Sequence, residues 1–234
     1  MKKYAQIVSK CWETLLHGNT PNGSYFFSKT DLEKAAEMLN FNIKNIADIR
    51  YTFDSREDLP FPGYGILQQG KGKYVFVPVE KNLINIEDID EAYLCKDQVI
   101  GIANKYMTND EQGRFARLVK SDALNKIFGW SSFQKIQDHW RTTSEFGQIE
   151  IDSLCSFTKN DKESILIINV KKDSDRISKT YLYNQARLAA EKFADSWQIL
   201  NIYCIDDIYL IWEPENLNNL NDISVKKAIA VKLY

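Results

Sequence analysis

Apolar residues recur at helical spacing through YAQIVSKCWETLL, residues 4–16, and the pattern stops at HGNTPNGS, a loop rich in Gly, Asn and Pro. A second helical stretch follows in FFSKTDLEKAAEMLNF. There Ser28 is placed to cap the first turn, Asp31 stands at its third position, and Leu32, Ala35, Ala36 and Leu39 form the inward stripe, so the helix is expected to end near Asn40. In NIKNIADIRYTFDS the same period turns Ile43, Ile46, Ala47, Ile49 and Phe53 inward and leaves Lys44, Asn45, Asp48, Arg50 and Thr52 for solvent or a ligand. LPFPG breaks the period. GILQQGKGKYVFVPV then reads as a pair of strands around GKGK, a turn whose glycines tolerate positive φ while Lys71 and Lys73 project outward.

Helix, turn, helix and basic hairpin follow one another here in the order of a winged helix. In such a module the second helix enters the major groove and the hairpin touches phosphates, which makes Lys44, Asn45 and Arg50 on the helix and Lys71 and Lys73 on the hairpin candidates for DNA contact. The same residues also suit a plainer reading, in which the lysines keep a hairpin soluble and the helices form a generic cap. Beyond this module, NDEQGRFARLVKSDALNKIFGW and FQKIQDHWRTT read as helical stretches rich in Arg, Lys and Gln that lead into a second domain and partly cover it.

From Gly147 the period changes to two. GQIEIDSLCSF alternates Ile149, Ile151 and Leu154 with polar residues, and KESILIINVKK follows after the polar turn TKND, so adjacent strands are expected. Glu150 and Asp152 point to one face of the first strand, and Asn169 and Lys171 to one face of the second; if the strands pair, the four polar groups converge. ILIINVKK is otherwise a nearly continuous apolar run of the kind buried on both faces, where Asn169 and Lys171 are costly unless they have partners. WQILNIYCIDDIYLIWEP reads as further strands broken at Asp206 and Asp207, which suit a turn.

Composition narrows the classes. The chain has 234 residues, 44% hydrophobic and 26% charged, enough for one sizeable core or two smaller ones. With 30 Lys and Arg against 32 Asp and Glu the net charge is −2, so a DNA-binding surface has to come from local clustering rather than a global positive field. No apolar run approaches the roughly 18 residues of a membrane span. The opening MKKYAQIVSK lacks the apolar core of a secretory signal, and a cytoplasmic protein without a membrane partner is expected. Cys11, Cys95, Cys155 and Cys204 lie far apart without metal-ligand spacing and read as reduced structural thiols. His17 and His139 have no nucleophile at a recognisable spacing, and GKGK is too short for a phosphate-binding loop.

Asp152 in GQIEIDSLC, followed by Asn169-Val170-Lys171 in INVKK, resembles the site of the PD-(D/E)xK nuclease superfamily, an Asp at the end of one strand and an acid-x-Lys triplet on the next. The flanking DHWRTTSEFGQIEID, the GKGKYVFV hairpin and YLYNQARLAAEKF resemble stand-alone restriction-type endonucleases, a likeness running from about Phe26 to the C-terminus. The resemblance implies an α/β chain with a winged-helix-like module at 1–80, a helical connection at 81–140 and a nuclease core at 141–234. That core has a mixed central sheet flanked by helices, in the order helix, three strands, helix, strand.

The resemblance further implies a type II-like restriction endonuclease that cuts double-stranded DNA with Mg²⁺ or Mn²⁺ and works as a homodimer. Asp152, Asn169, Glu150 and the Val170 carbonyl would hold the metal, Lys171 would orient or help activate the attacking water, and Gln185 would support DNA contact. Asn169 departs from the pattern, since an amide adds no charge where the family has its second acid; Glu150 is the candidate to restore it. The alternatives are a nuclease fold that binds DNA or a partner without cutting, and a plain buried salt bridge between Asp152 and Lys171.

Overall fold

The computed structural model describes residues 2–172, 175–194 and 196–234. The chain begins with α1 (Lys3–Leu16), β1 (Tyr25–Ser28), α2 (Lys29–Met38) and α3 (Ala47–Ser55), then the hairpin β2 (Tyr64–Gly70) and β3 (Lys73–Pro78). The strands form an antiparallel sheet in the order β1-β3-β2. α2 starts where the sequence places it. The Ser28 hydroxyl accepts from the Asp31 N–H, and the Asp31 carboxylate accepts the Ser28 N–H at 2.7 Å, which satisfies two amide groups a helix start leaves unpaired. Around these elements Ile7, Trp12, Leu32, Ile49, Phe53 and Phe76 pack into one core. Trp12 stacks on Phe61 with centroids 4.3 Å apart.

In α3 the inward stripe differs from the one expected. Ile46, Ile49 and Phe53 are buried, but Ala47 is exposed and Thr52 is buried, its hydroxyl donating to the Asp48 carbonyl at 2.9 Å. The helix begins only at Ala47, so its buried face is set by Ile49 and Phe53, and Thr52, three residues after Ile49, falls on that face.

The rest of the chain forms β4 (Glu91–Cys95), α4 (Gly101–Tyr106), α5 (Glu111–Lys120), α6 (Ala123–Phe128), β5 (Ser132–Ser144), β6 (Gly147–Lys159) and β7 (Lys162–Lys172). After these come α7 (Lys179–Phe193), β8 (Trp197–Ile205), β9 (Ile208–Glu215) and β10 (Ser224–Leu233). Seven strands make a mixed sheet in the order β4-β10-β9-β8-β7-β6-β5, flanked by helices. β7 and β8 run parallel, joined across α7; β10 and β4 are also parallel, and the other neighbours are antiparallel. FQKIQDHWRTT, expected to be helical, is part of the edge strand β5. β4, also inside the expected helical connection, forms the opposite edge, so residues 81–140 contribute to the sheet as well as covering it.

β7 carries the core on both faces. Leu166, Ile168 and Val170 pack with Phe115, Leu118 and Leu124 of α5 and α6, while Ile167 packs with Leu182, Ala186 and Ala189 of α7. The period of two puts Asn169 and Lys171 on the α7 side, both buried. The tight β6–β7 turn uses Asn160 and Asp161 at φ 51° and 58°, the left-handed geometry that suits a two-residue hairpin.

The N-terminal elements are locked onto this sheet. Ser178 N–H donates to the Asp54 carbonyl at 3.1 Å and Lys179 N–H to the Asn82 carbonyl at 2.7 Å. Gly147, at φ 108°, lies where a Cβ would come within 2.0 Å of Gln68 Nε2 and 3.0 Å of the Gly70 backbone, so only glycine lets β2 approach β6 this closely. The docking sets α3 across a cleft from β6 and α7. Among the described residues no helix is long and apolar enough to cross a membrane.

Candidate functional site

β6 and β7 pair from Lys159 and Lys162 up to Ser153 and Ile168, and the ladder ends there. Asp152 is the next residue, and its carboxylate enters the gap. Oδ2 accepts the Val170 N–H at 3.0 Å and the Lys171 ammonium at 2.8 Å, and neither bond uses Oδ1. In an extended strand the N–H and C=O of one residue leave by the same edge, so the Val170 carbonyl faces the gap that holds the Asp152 carboxylate.

This ion pair is shielded from water, with the Asp152 side chain 15% exposed and that of Lys171 3%. Burial by itself disfavours the ammonium, but its surroundings, the Asp152 carboxylate bonded to it among them, more than offset this and hold Lys171 above the ordinary lysine range. Burial also pushes the Tyr181 phenol well above its usual range. Tyr181 is therefore a neutral hydroxyl at neutral pH, and the Asp152 carboxylate is the anion that keeps the Lys171 proton in place.

Asn169, two residues before Lys171 on the same face, is fully engaged elsewhere. Its amide nitrogen donates to Gln185 Oε1 and to Asn201 Oδ1, each at 2.8 Å. Its oxygen accepts from Gln185 Nε2 at 2.8 Å and from the Tyr181 hydroxyl at 3.1 Å. These bonds use both donors and both lone pairs of the amide, so nothing of Asn169 is left to share a cation with Asp152. Gln185 is spent in the same network and completely buried, at the wall of the cavity that Asp152 also lines. Glu150 faces β5, where its oxygens meet Arg141 Nε at 2.9 Å and His139 Nδ1 at 3.2 Å.

The other sequence candidates divide. Lys71 and Lys73 are exposed at the tip of the β2–β3 hairpin, and Lys44 and Asn45 are exposed just before α3. Arg50 is held inside the structure, donating to Gln68 Oε1 at 2.8 Å and lying 3.5 Å from the Asp54 carboxylate. Asn45, Arg50 and Tyr51 line one wall of a cavity of about 500 Å³ whose other walls include Asp152, Tyr181 and Asn184.

Glu111 also lines this cavity and was not singled out by the sequence. It opens α5 directly after Asp110, whose side chain caps the helix by accepting the Gly113 N–H at 2.8 Å. Burial raises the Glu111 carboxyl above its ordinary value, the Asp152 charge adds to the rise, and Lys171 opposes it. From sequence, Asp-Glu at a helix start reads as a capping and dipole signal, and only the packing of α5 against β7 brings the carboxylate into the field of Asp152.

Among the described residues no group of three or more His, Cys, Asp or Glu side chains is arranged to hold a metal ion. The Asp152 and Glu111 carboxylates both line the cleft, and carboxylate oxygens of this kind are hard ligands of the sort Mg²⁺ or Mn²⁺ prefers. Asn169 has no free amide group to add to them, and Glu150 lines the same cavity while paired with Arg141 and His139. No protein-family model, curated protein or solved structure matches this chain.

Proposed function

We propose that the protein is a divalent-metal-dependent endonuclease acting on double-stranded DNA. One observation carries the reading: Asp152, Val170 and Lys171 meet where β6 and β7 part, and Asp152 opens onto a cleft that α3 also lines. The order α5–α6, β5, β6, β7, α7, β8 is the helix, three strands, helix, strand that the PD-(D/E)xK resemblance implies. The helix, strand, helix, helix and hairpin before it, with sheet order β1-β3-β2, support a winged-helix-like module.

In this reading Asp152, Glu111 and the Val170 carbonyl would hold Mg²⁺ or Mn²⁺. A bound cation supplies charge to offset the phosphate and lowers the pKa of water. Glu111, whose carboxyl feels the Asp152 charge, would supply the second acid in place of Asn169. Lys171, kept protonated by Asp152, acts as a positively charged donor that orients the attacking water or a phosphate oxygen, not as the base that takes a proton. Asn169, Gln185 and Asn201 brace β7 and α7 and fix the direction of Lys171. Exposed Lys71 and Lys73 supply phosphate contacts, and cutting both strands calls for two such sites, hence a homodimer with its target in the cytoplasm.

A second reading, a DNA-binding protein over a nuclease fold that does not cut, draws on the sequestered Asn169. Incubation with long unmethylated DNA and Mg²⁺ or Mn²⁺ separates the two. Discrete fragments that disappear in Asp152→Ala and Lys171→Ala support the endonuclease, whereas intact DNA retarded on a gel supports the binder.

A further inference from the structure

Asn184, one residue before Gln185 on α7, lines the same cavity, and its side chain is almost completely buried. Both its amide nitrogen and its amide oxygen are closed to solvent and have no hydrogen-bond partner. Such an amide is costly unless something supplies a donor and an acceptor together. The contrast with Asn169, whose amide is saturated by protein groups, marks Asn184 as free capacity at the wall of the cleft. Across the cleft stands Tyr51 of α3, 40% exposed, with the Arg56 guanidinium 5.4 Å from its ring centroid and part of its surface facing the cleft.

An aromatic face together with an unspent donor-acceptor pair is the chemistry that recognises a nucleobase. The ring stacks and the amide reads an edge, and adenine is the base whose amino group and neighbouring ring nitrogen match an Asn amide in two bonds. The cavity, about 500 Å³, lies in the size range of small-molecule sites. We propose that this cleft receives a single adenine base, stacked on Tyr51 and read by the Asn184 amide, which rotates about its side-chain bonds to meet it. The inference deepens the nuclease reading by naming the base held beside Asp152, and it rests on that reading for its place in DNA.

The probes are deoxyadenosine monophosphate and its analogue lacking the 6-amino group, titrated calorimetrically into wild-type protein, Asn184→Ala and Asn184→Leu. Wild type is expected to prefer the adenine nucleotide about ten- to hundredfold, the discrimination of a two-bond base contact, and both variants are expected to bind the two nucleotides alike. A structural Asn184 would make the variants less stable. An unpaired one makes Asn184→Leu as stable as wild type or more so, with Tm higher by about 2–4 °C.

No binding of the adenine nucleotide, or equal binding of both nucleotides by wild type, overturns the proposal, as does a large fall in Tm for both variants. Cleavage of long DNA by wild type and Asp152→Ala is followed in parallel. Cleavage without nucleotide discrimination removes the adenine site and leaves the nuclease; discrimination without cleavage removes the nuclease and leaves the adenine site.

Discussion

Two carboxylates, Asp54 fully buried and Asp152 partly so, lie on the two sides of the junction between the N-terminal elements and the large sheet, and they are treated in opposite ways. Asp152 accepts a backbone N–H and a lysine ammonium, both at hydrogen-bond distance. Asp54, 1% exposed, has neither side-chain oxygen hydrogen-bonded, and its ion-pair partner Arg50 stands 3.5 Å away while donating to Gln68. The consequence shows in the protonation of Asp54. Burial, opposed only in part by Arg50, pushes the Asp54 carboxyl from 3.8 up to about 6. A nearby opposite charge is therefore not enough to stabilise a buried acid; the bonds that replace lost water decide the balance.

The sharpest way to break the comparison is to remove the partner that Asp152 has. Lys171→Met should destabilise the fold by about 2–3 kcal/mol, because it leaves a partly buried carboxylate without its ammonium. Urea unfolding measures it, and a loss near zero would mean the pair is weakly coupled.

Asp54 should respond in the other direction and with pH. Its folded pKa is raised, so the unfolded chain gives up this proton first as pH rises; the penalty is absent below pH 3.8, grows up to about pH 6 and is fully present above. Asp54→Asn should therefore stabilise the protein by up to about 3 kcal/mol at pH 8. The gain should vanish near pH 4, and a constant difference between the two unfolding curves across this window would contradict the assignment.

Asn169→Leu keeps the size of the side chain but orphans Gln185 and Asn201, and should cost about 2 kcal/mol in the same unfolding assay. The smallest structural effect is expected at the hairpin tip. Lys71→Ala with Lys73→Ala should change stability by less than about 0.5 kcal/mol. If the tip contacts DNA phosphates, the same pair should make the dependence of log affinity on log salt shallower by about 2, measured by fluorescence anisotropy of a labelled duplex.

Much of the local structure was legible because its causes are local. The Ser28–Asp31 capping box, the GKGK hairpin and the Asn160–Asp161 turn each need only a few consecutive residues, and each forms where the sequence puts it. FQKIQDHWRTT misled because Phe133, Ile136 and Trp140 are spaced by three and four, as on a helix. In the fold this segment is an edge strand whose register shifts between Lys135 and Gln137 and whose backbone turns to positive φ at His139, so its apolar residues lose the simple alternation. At the site, the meeting of Asp152 with Lys171 follows from the strand period and was readable, whereas Glu111 arrives from a helix some forty residues upstream and carried no signal beyond that of a helix start.

The sequence by itself determined which segments are helices and strands over most of the chain, and which polar residues share a face of β6 or β7, since those depend on period and on short-range hydrogen bonds. Only the tertiary structure decided which of those groups are spent and which remain free. Asn169 and Glu150 look equivalent to Asp152 in a strand pattern, but the neighbours that saturate Asn169 come from α7 and β8, and those that pair with Glu150 come from β5. Asn184 looks like one more polar helix residue until α3 packs opposite and leaves its amide unpaired. A side chain's chemistry is fixed by its type, but its availability is fixed by partners distant in sequence, and those exist only once the sheets and helices have packed.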